Sequence, residues 1–349
     1  MLSEIHQQPK ATAETLVEAF RQARHIVREL DASKLSMVYF TGSGTSYHAC
    51  LGANYALSTL TRISSTTLPA SEFASWVSQT RRPGTALVAI SQSGESVDVL
   101  AAVKAANTAG IRTIAVTNSA RSSLTDQTDF QFVARAGKER AVTATKSFTA
   151  TLAATYTFVL EVAKAVAPGA GITGRLEQSL RTAPKQMQFT ISVSENYVRA
   201  LATKFADKQL YFILGSGPNF PTALEGALKL KESSNLYAEG FASREFLHGP
   251  MQLVDSRTPI FLLQGLEESE QIGQLAKSFV KFGSATVVIK RKTAHSKAHE
   301  SDTVDVAPGI EEIFSPLVYV IPLQLYAFYA ALKRGLNPDS PVKLTKVVR

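Results

Sequence analysis

The stretch Ser91-Gln92-Ser93-Gly94-Glu95-Ser96 gathers hydroxyl and amide side chains around one glycine. It follows the apolar run 86–90 and precedes a helix-like segment, 97–109, so it falls at a strand-to-helix turn. Such a turn suits an anion. Ser91, Gln92, Ser93 and Ser96 offer donors, Gly94 lets the backbone come close, and the helix N-terminus adds free amides and partial positive charge. A capped loop explains one or two of these residues but not the whole cluster, so phosphate is the expected ligand. A second turn of this kind, Thr41-Gly42-Ser43-Gly44-Thr45-Ser46, follows a strand over 36–40 and leads into a helix from about Tyr47.

Nucleotides are not expected at either turn. A dinucleotide fingerprint would need glycine where Tyr47 stands, and the strand over 63–68 ends without the acid that holds a ribose. The Gly-Lys-Ser/Thr of a nucleotide P-loop is missing too. Chemistry of another kind lies further along. Glu225, Lys229 and Glu232 share one face of a helix over 221–235, a spacing that by itself reads as a solvated charged stripe. His248 stands before Gly249-Pro250 in an irregular turn, where a side chain is easily presented to a site. His295 and His299, followed by Glu300, have metal-ligand spacing, but their polar surroundings favour a solvated loop. The tail 341–349 reads as a basic, frayed terminus in which nothing physical singles out Lys346.

The elements that position these residues can be read from the whole chain. Its 349 residues suffice for two domains, and 45% hydrophobic with 19% charged residues is a globular composition. No apolar run reaches the roughly 18 to 20 residues of a membrane span, and the first ten residues lack the apolar core of a signal peptide. A cytoplasmic protein without membrane attachment is expected. Cys50, the only cysteine, rules out intrachain disulfides and thiolate clusters and reads as a buried small residue. Trp76 fits a core or a dimer contact. The net charge of +8, from 37 Lys and Arg against 29 Asp and Glu, favours anionic partners. The basic residues are scattered in short doublets such as Arg81-Arg82, with no aromatic-basic module, which argues against nucleic acid.

An amphipathic helix over 12–30 opens the chain, and strands then alternate with helices up to a long helix ending near Val166. That alternation predicts an α/β fold with a doubly wound parallel sheet and ligands at the carboxyl ends of its strands. Residues 168–174 (PGAGITG) are the best linker, dividing the chain into domains over 1–167 and 168–349. The triplet Gly42-Ser43-Gly44 recurs as Gly215-Ser216-Gly217, 173 residues on. The same step carries Ser91 to Gln264, beside a strand over 260–263 and a turn, so the chain reads as a duplicated unit. Only the first copy keeps the hydroxyl-rich turn, and one phosphate site per chain is expected. A helix over 313–334 with a broad apolar face closes the second copy.

Six blocks in order, TGSGTSYHA (41–49), ISQSGES (90–96), AVTATKSF (141–148), ALEGALKLKE (223–232), FLHGP (246–250) and LTKVV (344–348), resemble the sugar isomerase (SIS) family, most closely the isomerase half of the glucosamine-6-phosphate synthases. The resemblance implies two tandem SIS domains, each a doubly wound, mainly parallel sheet flanked by helices. It implies that Thr45, Ser46, Ser91, Gln92, Ser93 and Ser96 hold a sugar phosphate, with Val142 and Thr345 at backbone-contact positions. Glu232 would be the base between C1 and C2, with Lys229 tuning it. His248 would help to open the ring from a neighbouring subunit, making a homodimer with a shared active site, and Lys346 would lie at the sugar's reactive end. Ala144 stands where the family has serine. The chemistry needs no metal or organic cofactor. With no glutaminase half in the sequence, release of ammonia from glucosamine 6-phosphate is the leading expectation. A deglycase for phosphorylated fructosamine or glucosamine adducts of amino acids, a plain phosphosugar ketose–aldose isomerase and a non-catalytic sugar-phosphate-binding regulator are the alternatives.

Overall fold

The computed structural model describes residues 1–349 apart from 78–82, 168–170, 268, 294–300 and 347–349. His295, His299 and Glu300 therefore lie outside the described residues, as do Arg81, Arg82 and the first part of the linker. In chain order the elements are α1 (Leu2–Glu29), β1 (Met37–Gly42), α2 (Thr45–Leu60), β2 (Ser64–Pro69), α3 (Ala70–Trp76), β3 (Thr85–Ile90), α4 (Val97–Thr108), β4 (Arg112–Thr117), α5 (Ser123–Gln127), β5 (Phe130–Val133), α6 (Lys146–Val166) and α7 (Ile172–Lys204). They continue with β6 (Leu210–Gly215), α8 (Asn219–Ser234), β7 (Tyr237–Ala242), β8 (Ile260–Gln264), α9 (Ser269–Lys281), β9 (Thr286–Arg291), β10 (Asp302–Val306) and α10 (Pro316–Lys333). Packing divides the chain into two compact units, the first made of 7–139, 144–181 and 345–349 and the second of 1–6, 140–143 and 182–344.

In the first unit the strands run in the order β2-β1-β3-β4-β5, all parallel. The central strand β3 is buried at every residue, which is why its sequence is an unbroken apolar run rather than an alternating one. Leu87 and Ala89 on β3 pack with Phe73, Val99, Ala102, Val103, Ala106 and Leu124 in one core. Each large apolar side chain enclosed this way contributes about 1.5–3 kcal/mol. α2 and α6 approach closely, since a Cβ on Gly52 would stand 3.1 Å from Leu152 Cδ1 and 3.2 Å from the Tyr156 hydroxyl. Cys50 is buried in α2, as its context implies. Trp76 is not a core residue. It ends α3 with 80% of its surface exposed.

The second unit repeats the order as β7-β6-β8-β9-β10, again all parallel. Even the register is repeated. Thr41 pairs with Ala89 and Leu214 with Leu262, each residue of the second pair lying 173 after its counterpart. The pairs Gly42–Pro69 and Gly215–Ala242 keep the same step. Three elements depart from the sequence reading. α1 begins at Leu2 and not at 12. Residues 237–242 form edge strand β7, and its interrupted burial explains why no strand pattern shows there. α10, continuous with a short turn from Glu312, is apolar and long enough to cross a membrane, contrary to the expectation that no stretch would be, yet it is 94% buried within the fold. It packs on α8, where Gly226 makes room for Leu323.

Candidate active site

The first unit brings two glycine turns to one edge of its sheet. Gly42 at the end of β1 pairs with Ile90 at the end of β3, so both turns leave the sheet side by side, where the strand order reverses. α2 begins at Thr45 and α4 at Val97, bringing two helix N-termini to this edge. Space requires the glycines. A Cβ on Gly42 would fall 2.9 Å from the Ser46 carbonyl carbon, and Gly94, at φ 72°, would drive one to 2.2 Å from Ser122 Oγ. Within the second turn Ser91 Oγ accepts from the Gly94 amide and Ser93 Oγ from the Glu95 amide, both at 3.1 Å. Accepting leaves each hydroxyl its proton to donate. Ser96 is the N-cap of α4 and makes no side-chain capping bond. The carbonyl of Gln92 is held by the Asn118 amide and Thr117 Oγ1, and the Glu95 carboxylate by the amide and hydroxyl of Ser123 at 2.9 and 2.7 Å. These bonds fix the turn and commit its one acid to the start of α5.

The matching turn of the second unit holds a carboxylate already. Glu312 accepts from the Leu266 amide at 3.3 Å and pairs with Arg291 at 2.7 Å, and a Cβ on Gly265 would meet its Oε1 at 2.5 Å. Where the first copy presents hydroxyls, the second presents its own acid.

The charged stripe on α8 is not solvated. Glu225 and Lys229 have no exposed side-chain surface and Glu232 has 22%. Lys229 Nζ lies 3.1 Å from Glu225 Oε1 and 2.8 Å from Glu232 Oε2. Burial alone would push this lysine down, but the charges of Glu225 and Glu232 outweigh it and hold the ammonium above its ordinary value. The spacing expectation fails because it is blind to what covers a face, and here α10 packs on α8. The result is a locked cation between one enclosed side chain, Glu225, and one partly exposed side chain, Glu232. His248 is exposed in the loop after β7, following a short 3₁₀ turn and followed by Gly249 at φ 134°.

The Val142 amide donates to the Asp339 carbonyl at 3.0 Å. Thr345 is exposed. Lys346 does not fray: its Nζ lies 2.9 Å from Glu139 Oε2, with the lysine 27% exposed and the glutamate enclosed. Glu139 escaped sequence reasoning. The one available signal was an acid shortly before Thr145 and Ser147 at the start of a long helix, the arrangement of an acidic N-terminal cap. The structure thus brings together Thr45 and Ser46 with 91–96, Lys229 with Glu232, and Lys346 with Glu139. Val142 and His248 stand on separate loops of the second unit.

A family model described as the SIS domain matches residues 33–161 and 204–334. The isomerizing glutamine–fructose-6-phosphate aminotransferase of Methanothermobacter thermautotrophicus is 34% identical over 356 residues, an alignment covering 100% of this chain and 57% of that protein. The chain therefore spans little more than half the length of the curated relatives it matches. The C-terminal domain of glucosamine-fructose-6-phosphate aminotransferase from Francisella tularensis superposes with a TM-score of 0.91 at 28% identity, covering 98% of each chain. A glucosamine-6-phosphate deaminase from Thermotoga maritima superposes with a TM-score of 0.72 at 22% identity over 97% of this chain and 98% of that one, a likeness of fold.

Proposed function

This chain belongs to the SIS-domain family, and on that premise we propose that it moves a proton between C1 and C2 of an open-chain aminosugar phosphate, converting glucosamine 6-phosphate and water to fructose 6-phosphate and ammonia. The observation that carries the reading is Lys229, enclosed between Glu225 and the partly exposed Glu232. Glu232 takes the C2 proton, leaving an enolamine, and returns a proton to C1. The resulting imine at C2 adds water and loses ammonia. The neighbouring ammonium of Lys229 opposes the negative charge that develops as the proton leaves.

The other roles follow from the family resemblance and agree with the local geometry of each unit. Thr45, Ser46, Ser91, Gln92, Ser93 and Ser96 take the phosphate, and Val142 and Thr345 offer backbone contacts. His248, exposed beside a glycine of positive φ, assists ring opening from a second copy of the chain, so a homodimer is part of the proposal. Lys346 acts at the reactive end of the sugar. The M. thermautotrophicus relative is named as an isomerizing glutamine–fructose-6-phosphate aminotransferase, and the step proposed here shares that sugar phosphate.

The test is an assay of ammonia and sugar products from glucosamine 6-phosphate, run beside phosphorylated fructosamine adducts of amino acids. Ammonia with fructose 6-phosphate from the former supports the proposal. An amino acid released only from the latter replaces it with a deglycase, and tight binding of fructose 6-phosphate without any turnover replaces it with a regulator.

A further inference from the structure

We propose that Glu139 is the positioning residue for Lys346, a buried carboxylate that sets where the lysine's ammonium stands; the inference rests on the functional reading above for the role of Lys346. Three observations within the first unit carry it. Glu139 has no exposed side-chain surface, so its charge is retained only with donors around it. The donors are on both oxygens. Oε1 accepts from the Thr145 amide at 2.8 Å and the Ser147 amide at 3.2 Å, while Oε2 accepts from Ser147 Oγ at 2.5 Å and Lys346 Nζ at 2.9 Å. The amides belong to the N-terminus of α6, whose first turn has no carbonyls of its own to bond them, and the helix dipole favours a negative charge there.

These contacts rank the partners. The helix start holds the carboxylate in one orientation by four bonds, the fourth from Thr145 Oγ1 at 3.4 Å, and α6 is itself buried from Lys146 through Ala163, so the carboxylate is the fixed member of the pair. The tail is the member that would otherwise move, since residues 342–345 are exposed. Lys346 thus takes its place from Glu139 and not the reverse. Two residues 207 apart in sequence are joined by one charge-assisted hydrogen bond of the stronger class.

Acylation of lysine amines by an N-hydroxysuccinimide ester, read by peptide mass spectrometry on the full chain, tests this directly, with exposed Lys343 as the internal reference. In Glu139→Gln the Lys346 amine should label about tenfold faster relative to Lys343, the factor that loss of one charge-assisted hydrogen bond corresponds to. Turnover of glucosamine 6-phosphate should fall about 10- to 100-fold in kcat with little change in KM, because a displaced group loses the reaction geometry and not the phosphate contacts. Ser147→Ala, which keeps the charge but loosens the carboxylate, should lie between wild type and Glu139→Gln in both readouts and carries the test if the glutamine variant does not fold. Unchanged relative labelling of Lys346 in folded variants overturns the proposal whatever the activity. Faster labelling in an enzyme that never turns over any aminosugar phosphate upholds the positioning of Lys346 and overturns the functional reading instead.

Discussion

The ammonium of Lys229, wholly enclosed, lies 2.8 Å from Oε2 of Glu232, a buried oxygen on a side chain that is 22% exposed. Glu225 closes the other side of the lysine at 3.1 Å. A cation cannot be buried like this without counter-charge, so the three residues form one device in which Glu225 satisfies the lysine from within and Glu232 remains accessible to a ligand.

Glu225→Gln should therefore destabilise the fold by about 3–5 kcal/mol, the cost of breaking a buried ion pair on one side. Urea unfolding measures it. A change within experimental error of zero would mean that Glu232 alone suffices to hold Lys229.

The pH dependence of stability follows from two shifted groups. Burial pushes Glu139 up, but the charge of Lys346 and the bonds from Ser147, Lys346 and the Thr145 amide outweigh it and leave the carboxyl below its ordinary 4.5. Its contribution is complete above 4.5 and is lost as pH falls through the lowered folded value. Lys229 is raised above 10.5, so its contribution is complete below 10.5 and is lost only as pH rises through the raised value. Denaturation midpoints between pH 3 and 7 should show a shallower acid fall in Glu139→Gln than in wild type. Parallel acid limbs would contradict the assignment.

Gly94 and Gly44 both have positive φ, but only Gly94 faces an atom that a Cβ would strike, Ser122 Oγ at 2.2 Å. Gly94→Ala should displace the 91–96 turn and weaken fructose 6-phosphate binding at least about tenfold, whereas Gly44→Ala meets no neighbour, carries only the cost of a backbone that favours glycine (φ 55°, ψ −124°), about 1–3 kcal/mol, and should lose less affinity. Calorimetric titration of the two variants distinguishes them. Equal effects would show that the clash with Ser122 is not what shapes the cradle.

Cys50 is fully buried, and burial raises its thiol well above the ordinary range. It should be inert to a disulfide reagent at pH 8 in the native protein and react within minutes in denaturant. Rapid labelling of the native chain would show that α2 opens locally.

What the sequence made legible follows from how far apart the interacting residues lie. The turn at 91–96 could be read because its donors, glycine and helix start are neighbours in the chain, and they fold together as local chemistry dictates. The 173-residue repeat was equally plain, and the structure keeps it to the residue in paired strands. The burial of Lys229 was hidden because the helix that covers α8 begins more than 80 residues later, at Pro316. Glu139 was hidden for the same reason, its partner being 207 residues away. Of the two places expected for Trp76, the core fails because a large aromatic residue implies burial only on average, and this one ends a short helix at the surface.

In the proposed reaction Glu232 carries the proton between C1 and C2. Incubation of glucosamine 6-phosphate in deuterium oxide, followed by proton NMR at C1 and C2, tests it most directly. Wild type should exchange or transfer the C2 proton during turnover, and Glu232→Gln, correctly folded and still binding fructose 6-phosphate, should slow that step by about 10²–10⁴-fold. A glutamine variant that moves the proton at the wild-type rate would show that Glu232 is not the base.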